Sequence, residues 1–271
     1  MELKRIFNKS KNVVIGAIHF PPLFGYKDSP GLKVALKNAL ADLRAFEKGG
    51  VDALIFENNY DLPHKMLVDS PVVASMTYLG QELKKATKLP VGVSVLWNDY
   101  KTALSIAKVL GLQFIRIPAF VDTVETSYGI AKANYKEAIA FRKLIGAKDV
   151  GIFADIHVKH AKLLSKHTLL QSAKLAIKAG ADGLILTGKW TGDVPDLKQL
   201  KSLRKGMGSF PILIGSGTNA ENIKSLLSLA NATIVSTSVK QGSAKVKETN
   251  VKPYSRRVSE VKVRTLLRAL R

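Results

Sequence analysis

ILIGSGTNAENIKSLLSLANATIVSTS, residues 212–238, contains one full step of the fold. It opens on an apolar run, 212–215, that is too short for a helix and reads as a buried strand. Gly215-Ser216-Gly217 turns the chain, an amphipathic stretch over 220–230 reads as a helix, and 233–236 is a second buried strand. Strand, helix and strand in that order make a parallel pair joined by a crossover.

The same step recurs upstream. Apolar runs stand at 13–18, 53–57, 91–96, 114–117, 150–155 and 183–187, with amphipathic stretches at 32–48, 70–85, 103–110, 135–144, 169–179 and 196–205 between them. Eight such runs imply closure into a (β/α)8 barrel, an α/β fold that commonly takes about 250 residues as one domain. The expected domain is therefore the whole chain, 1–271. A doubly wound open sheet is the alternative, but no G-x-G-x-x-G follows the first run. Gly49-Gly50, Gly111, Gly146 and Gly180 fall where helices should end. Gly50-Val51-Asp52 and Gly180-Ala181-Asp182 each lead into a strand and read as structural turns at the barrel's lower rim.

Composition narrows the chemistry. The chain has no cysteine, which excludes disulfides, zinc-thiolate sites and cysteine nucleophiles. The N-terminus MELKRIFNKSKN is basic without an apolar signal-peptide centre, and no apolar run reaches the ~18 residues that span a bilayer, so a cytoplasmic protein is expected. Lys and Arg total 42 against 21 Asp and Glu, a formal charge of +21 that attracts nucleic acid, acidic lipid or phosphorylated metabolites. Residues 236–271 carry ten basic residues and two acidic ones, Glu248 and Glu260. Within that segment 240–254 reads as a loop, and 257–270 as an amphipathic helix that closes the barrel.

Function in such a barrel collects where the strands end. After the seventh and eighth strands, Gly215, Ser216 and Gly217, followed by a helix N-terminus, and the hydroxyls of Ser236 and Thr237 make a phosphate-binding site. The fifth strand runs into Asp155-Ile156-His157-Val158-Lys159-His160; on an extended chain Asp155, His157 and Lys159 share one face. Lys159 could act as an acid, a Schiff-base former or a phosphate partner. Glu57 and Asp99, facing each other across the mouth, could bind hydroxyls, act as a base or hold a divalent ion, with His19 in either role. A metal held by His19, Glu57, Asp99 and Asp155 stays open without an H-E-x-x-H or EF-hand loop to support it, and no cofactor is assigned. Arg116 points in or out with the strand register, and His64, His167 and the two tryptophans read as packing or surface residues.

These blocks resemble the BtpA family. The resemblance runs from about residue 13 to 258. It rests on Gly16-Ala17-Ile18-His19, Glu57-Asn58-Asn59-Tyr60-Asp61-Leu62-Pro63, Asn98-Asp99, Ala154-Asp155-Ile156-His157-Val158-Lys159-His160, Thr187-Gly188, Gly215-Ser216-Gly217, Lys240 and Arg257-Val258. It implies a ribulose-phosphate-binding type of barrel. The chain departs from the family pattern at Trp97, where Arg is usual, at Ser127-Tyr128-Gly129, in place of Asp-Gln-Gly, and at Ser236, where Gly is usual. Two functions are expected. The first is an enzyme, an isomerase, lyase or hydrolase, acting on a phosphorylated sugar or nucleotide-like molecule. The second is a non-catalytic assembly factor for a membrane complex of the photosystem type, or one that contacts RNA or an anionic membrane through the basic C-terminal segment. A homo-oligomer is compatible with either.

Overall fold

Strands made of Val, Ile and Leu need cover on both faces, and helices outside a closed interior supply it. The computed structural model describes residues 3–242, 254 and 256–271. A short helix α1 (Leu3–Phe7) leads into β1 (Val13–His19), then α2 (Leu32–Gly49) into β2 (Ala53–Glu57). The step repeats through α3 (Ser70–Ala86), β3 (Val91–Ser94), α4 (Tyr100–Leu110) and β4 (Phe114–Ile117). An excursion follows, in which β5 (Val124–Thr126) and β6 (Gly129–Ala131) form a hairpin ahead of α5 (Tyr135–Leu144). The chain resumes with β7 (Gly151–Ile156), β8 (Ala161–Leu163), α6 (Leu169–Lys178), β9 (Gly183–Leu186) and α7 (Leu197–Met207). It closes with β10 (Ile212–Ile214), α8 (Ile223–Leu227), β11 (Ala232–Val235), a 3-10 turn over Thr237–Val239 and α9 (Glu260–Leu270). Eight strands form a closed parallel barrel in the order β1-β11-β10-β9-β7-β4-β3-β2, so the closed form expected from the sequence holds over the open sheet.

Alternation along the strands sets two layers inside the barrel. The lower layer is apolar and includes Ile15, Ala17, Ile55, Phe114, Phe153, Ile185, Leu213 and Ile234. Two residues further up each strand the inward positions become His19, Glu57, Arg116, Asp155, Thr187, Gly215 and Ser236. Helix α1 closes the floor: the Phe7 ring lies 5.4 Å from Phe114 and 6.0 Å from Phe153. The N-terminal stretch, read in sequence only as basic and without a signal-peptide centre, is thus part of the core.

The two Gly-x-Asp turns are structural, as expected. Asp52 Oδ2 accepts from the Val14 amide at 2.9 Å, and Asp182 Oδ2 from the Ile152 amide at 2.9 Å. Helix α9 closes the barrel against α2. Val263 and Leu266 are buried, and Asp42 accepts from the Val258 amide at 2.8 Å and from Arg257 at 2.9 Å. Three sequence expectations change. The helix expected over 220–230 is the five-residue α8, because Asn219 and Asn222 fold the chain into turns before it. Helix α4 starts at Tyr100 rather than 103. The unforeseen strands β5, β6 and β8 make a separate antiparallel sheet. Of the basic loop, residues 243–253 lie outside the described residues.

Candidate functional site at the barrel mouth

A cavity of about 910 Å³ opens at the C-terminal ends of the strands. Its base is the upper inward layer. Arg116 is buried and makes a bidentate pair with Asp155, Nε to Oδ1 and Nη2 to Oδ2, both at 2.8 Å. Its Nη1 donates to Glu57 Oε1 at 3.4 Å, and Glu57 Oε2 lies 3.6 Å from His19 Nε2. Two carboxylates thus hold one guanidinium, whose charge-assisted bonds offset its desolvation. Arg116 lines the cavity, a placement that sequence reasoning left undecided. Its parity with Phe114, two residues below on the same inward face, was the signal available.

Lys159 lines the cavity but not as a strand residue. β7 ends at Ile156 and His157 adopts φ 51°, so the shared face expected for Asp155, His157 and Lys159 does not form. Asp155 instead points inward beneath Arg116, away from the cavity lining. Burial, together with nearby Arg116, lowers the Lys159 ammonium to about 8, against the opposing pull of Glu57 and Asp155. Its Nζ has no ion pair within 4 Å among the described residues. His19 is held well below its usual range, first by burial and then by Lys240, Lys159, Arg116 and Arg257, and so is neutral. Its Nδ1 is buried without a partner. Lys240, which no strand-end reading singled out, is buried with its ammonium 5.6 Å from the centre of the Tyr60 ring; burial lowers it to about 8.

The seventh and eighth strand ends meet on one side of the cavity, where Gly215, Ser216, Gly217, Ser236 and Thr237 all line it. The amides of Gly217, Thr218, Thr237 and Ser238 donate to no acceptor among the described residues. The Ser236 hydroxyl is buried and unpartnered. Ser216 differs from expectation: its hydroxyl donates to the Asp193 carbonyl at 2.9 Å and accepts from the Gly188 amide at 2.9 Å, tying the loop after β9 to the turn. Gly217, at φ 74°, is required because a Cβ there would meet the Asp193 backbone. The helix N-terminus expected here is displaced, since α8 begins only at Ile223.

Asp99 leaves the expected set for a physical reason. Its carboxylate accepts from the Thr102 amide at 3.0 Å, the Thr102 hydroxyl at 2.9 Å and the Val68 amide at 3.1 Å, so it caps α4 and does not face Glu57. The quartet once open as a metal site therefore does not converge, and Arg116 stands between its carboxylates. Among the described residues no group of three or more His, Cys, Asp or Glu is placed to hold a metal ion. His64 and both tryptophans, Trp97 and Trp190, expected only to pack or to sit at the surface, line the cavity. His167 pairs with Asp122 at 2.9 Å, away from the cavity lining.

Residues 10–262 match the BtpA family. This chain belongs to that family. An uncharacterized protein of Archaeoglobus fulgidus is 38% identical over 232 residues, covering 86% of this chain and 93% of that one. The photosystem I biogenesis protein BtpA of Synechocystis is 36% identical over 244 residues, covering 89% and 84%. Among solved structures, this BtpA-family barrel superposes on GGGPS from Thermoplasma volcanium with a TM-score of 0.59 at 13% identity, covering 100% of this chain and 96% of that one. Phosphoribosyl anthranilate isomerase from Thermus thermophilus gives a TM-score of 0.56 at 14% identity, covering 95% and 98%. These likenesses show the (β/α)8 barrel fold. No described helix is long and apolar enough to cross a membrane.

Proposed function

We propose that this chain is an enzyme that holds a phosphorylated small molecule at the mouth of the barrel and transfers a proton on it. The observation that carries this reading is one cavity with two kinds of unsatisfied group. Four amides and the Ser236 hydroxyl at the β10 and β11 ends have donors without acceptors. A phosphate dianion accepts from several N–H and O–H groups at once, and buried donors left unpaired are costly. Lys159, lowered to about 8, lies close enough to Glu57 and Arg116 to feel both charges, and is poised to give or take a proton near neutral pH. Glu57, His19 and Arg116 orient the reacting part of the substrate. Asp155 is a positioning residue that fixes Arg116, and Asp99 has no chemical part. That proton step serves an isomerase, a lyase or a hydrolase alike.

Solved structures with the same fold include a phosphoribosyl anthranilate isomerase, which favours a phosphorylated ligand here. The basic closing segment is less apt for RNA or a membrane. Arg257 is engaged by Asp42, and Lys262 by the carbonyls of Lys240 and Gly242. A thermal-shift screen with inorganic phosphate, sugar phosphates and nucleotides tests the reading. Phosphorylated ligands should raise the melting temperature of the wild type. Ser236→Ala should weaken that response, and Lys159→Ala should keep binding but abolish turnover of any substrate found. Absence of a response to every phosphorylated compound would refute it.

A further inference from the structure

The side of the mouth across from the phosphate turns is aromatic. In the ring of strands β3 lies opposite β10, and β4 opposite β11. Trp97 follows β3, and Tyr128 stands at the tip of the hairpin inserted after β4. His64, from the loop after β2, meets the Tyr128 ring edge-on, centroids 5.0 Å apart at 83°. It is buried, its Nδ1 has no partner, and burial lowers it to about 4, so a neutral imidazole offers one unused donor or acceptor. His160 and Trp190, with ring centroids 5.3 Å apart, flank the same space. Both tryptophans of the chain therefore face one cavity. A sugar offers aromatic side chains only its C–H face, whereas a planar ring stacks on them over its full π surface and gains more. The volume, about 910 Å³, is also at the upper end of the ~300–1,000 Å³ typical of small-molecule pockets.

We propose that this wall seats a planar heteroaromatic ring, so that the phosphorylated ligand belongs to the nucleoside monophosphate class, with its ring against Tyr128 and Trp97 and its polar edge on His64. The inference rests on the phosphate reading above and fixes the other half of the ligand.

Tryptophan emission and thermal shift are read for the wild type, Tyr128→Phe, Tyr128→Ala and Trp97→Leu, with inorganic phosphate, ribose 5-phosphate, AMP and UMP as probes. A nucleotide should change tryptophan emission and bind on the order of tenfold more tightly than ribose 5-phosphate. Tyr128→Ala should remove most of that advantage while sparing ribose 5-phosphate, and Tyr128→Phe should keep it. Tyr128 sits on the excursion sheet outside the barrel core; if its alanine variant melts early, loss of the advantage in Trp97→Leu, with ribose 5-phosphate binding kept, gives the same support. Equal binding of ribose 5-phosphate and both nucleotides, or silent tryptophans, overturns the ring subsite and leaves the phosphate site standing. No response to any probe, inorganic phosphate included, overturns both.

Discussion

Arg116 carries much of the site's electrostatics, because two carboxylates are aimed at its guanidinium, Asp155 from outside the cavity lining and Glu57 from within it. Lys159 at the same level makes no ion pair among the described residues, and Lys240 lies buried with its ammonium over the Tyr60 ring. Each has its ammonium lowered from 10.5 to about 8. Between pH 8 and 10 the unfolded chain keeps lysine protons that the folded chain has released. Unfolding then takes up protons, so stability rises with pH across that window. Urea midpoints at pH 7.5 and 9.5 should show the rise in wild type and a flatter response in Lys159→Met and Lys240→Met; a flat wild type would refute the burial of these charges. His19, Glu57 and Lys159 were legible in sequence because ionisable residues at strand ends have few structural uses in a barrel. Asp99 was not, since a capping carboxylate and a catalytic one look alike until the helix start is known. Arg116 was not, because one residue of register decides whether it faces in or out.

Elements divide by length. The barrel strands were readable because continuous apolar runs bounded by turns signal strands buried on both faces. Gly50, Gly111, Gly146 and Gly180 ended helices as expected, each at positive φ. Strands β5, β6 and β8 have three residues each, too few for any alternation to register; β5 and β6 close a local hairpin, and β8 joins them only because the β4 and β7 loops meet in space. Helix α1 was missed for a similar reason: five residues hold only Leu3, Ile6 and Phe7 as apolar positions, between lysines and arginines. Yet those three fill the lower end of the barrel. Phe7→Ala should cost about 3–5 kcal/mol in urea denaturation, as large aromatic truncations in cores do. Its ligand response should be unchanged, because the floor and the mouth lie at opposite ends; altered binding would contradict that separation.

The molecule as a whole is closed by contacts between its two ends. Asp42 on α2 receives Val258 and Arg257, and Gly49 leaves the space that Val263 fills. A chain shortened by residues 259–271 loses the buried Val263 and Leu266 and uncovers α2. Calorimetry should show a broadened transition at lower temperature, and an unchanged sharp transition would deny the helix this role. The basic charge of the terminal segment, conspicuous in sequence, is partly explained by such internal bonds, which no composition could reveal. The excursion sheet bears differently on the molecule's history. Its strands leave the barrel after β4 and rejoin after β7, and none of them pairs with a barrel strand. Such an awning can be re-cut by insertion or substitution while the turns after β10 and β11 opposite stay as they are, which lets descendants of one scaffold change clientele without relearning how to fold.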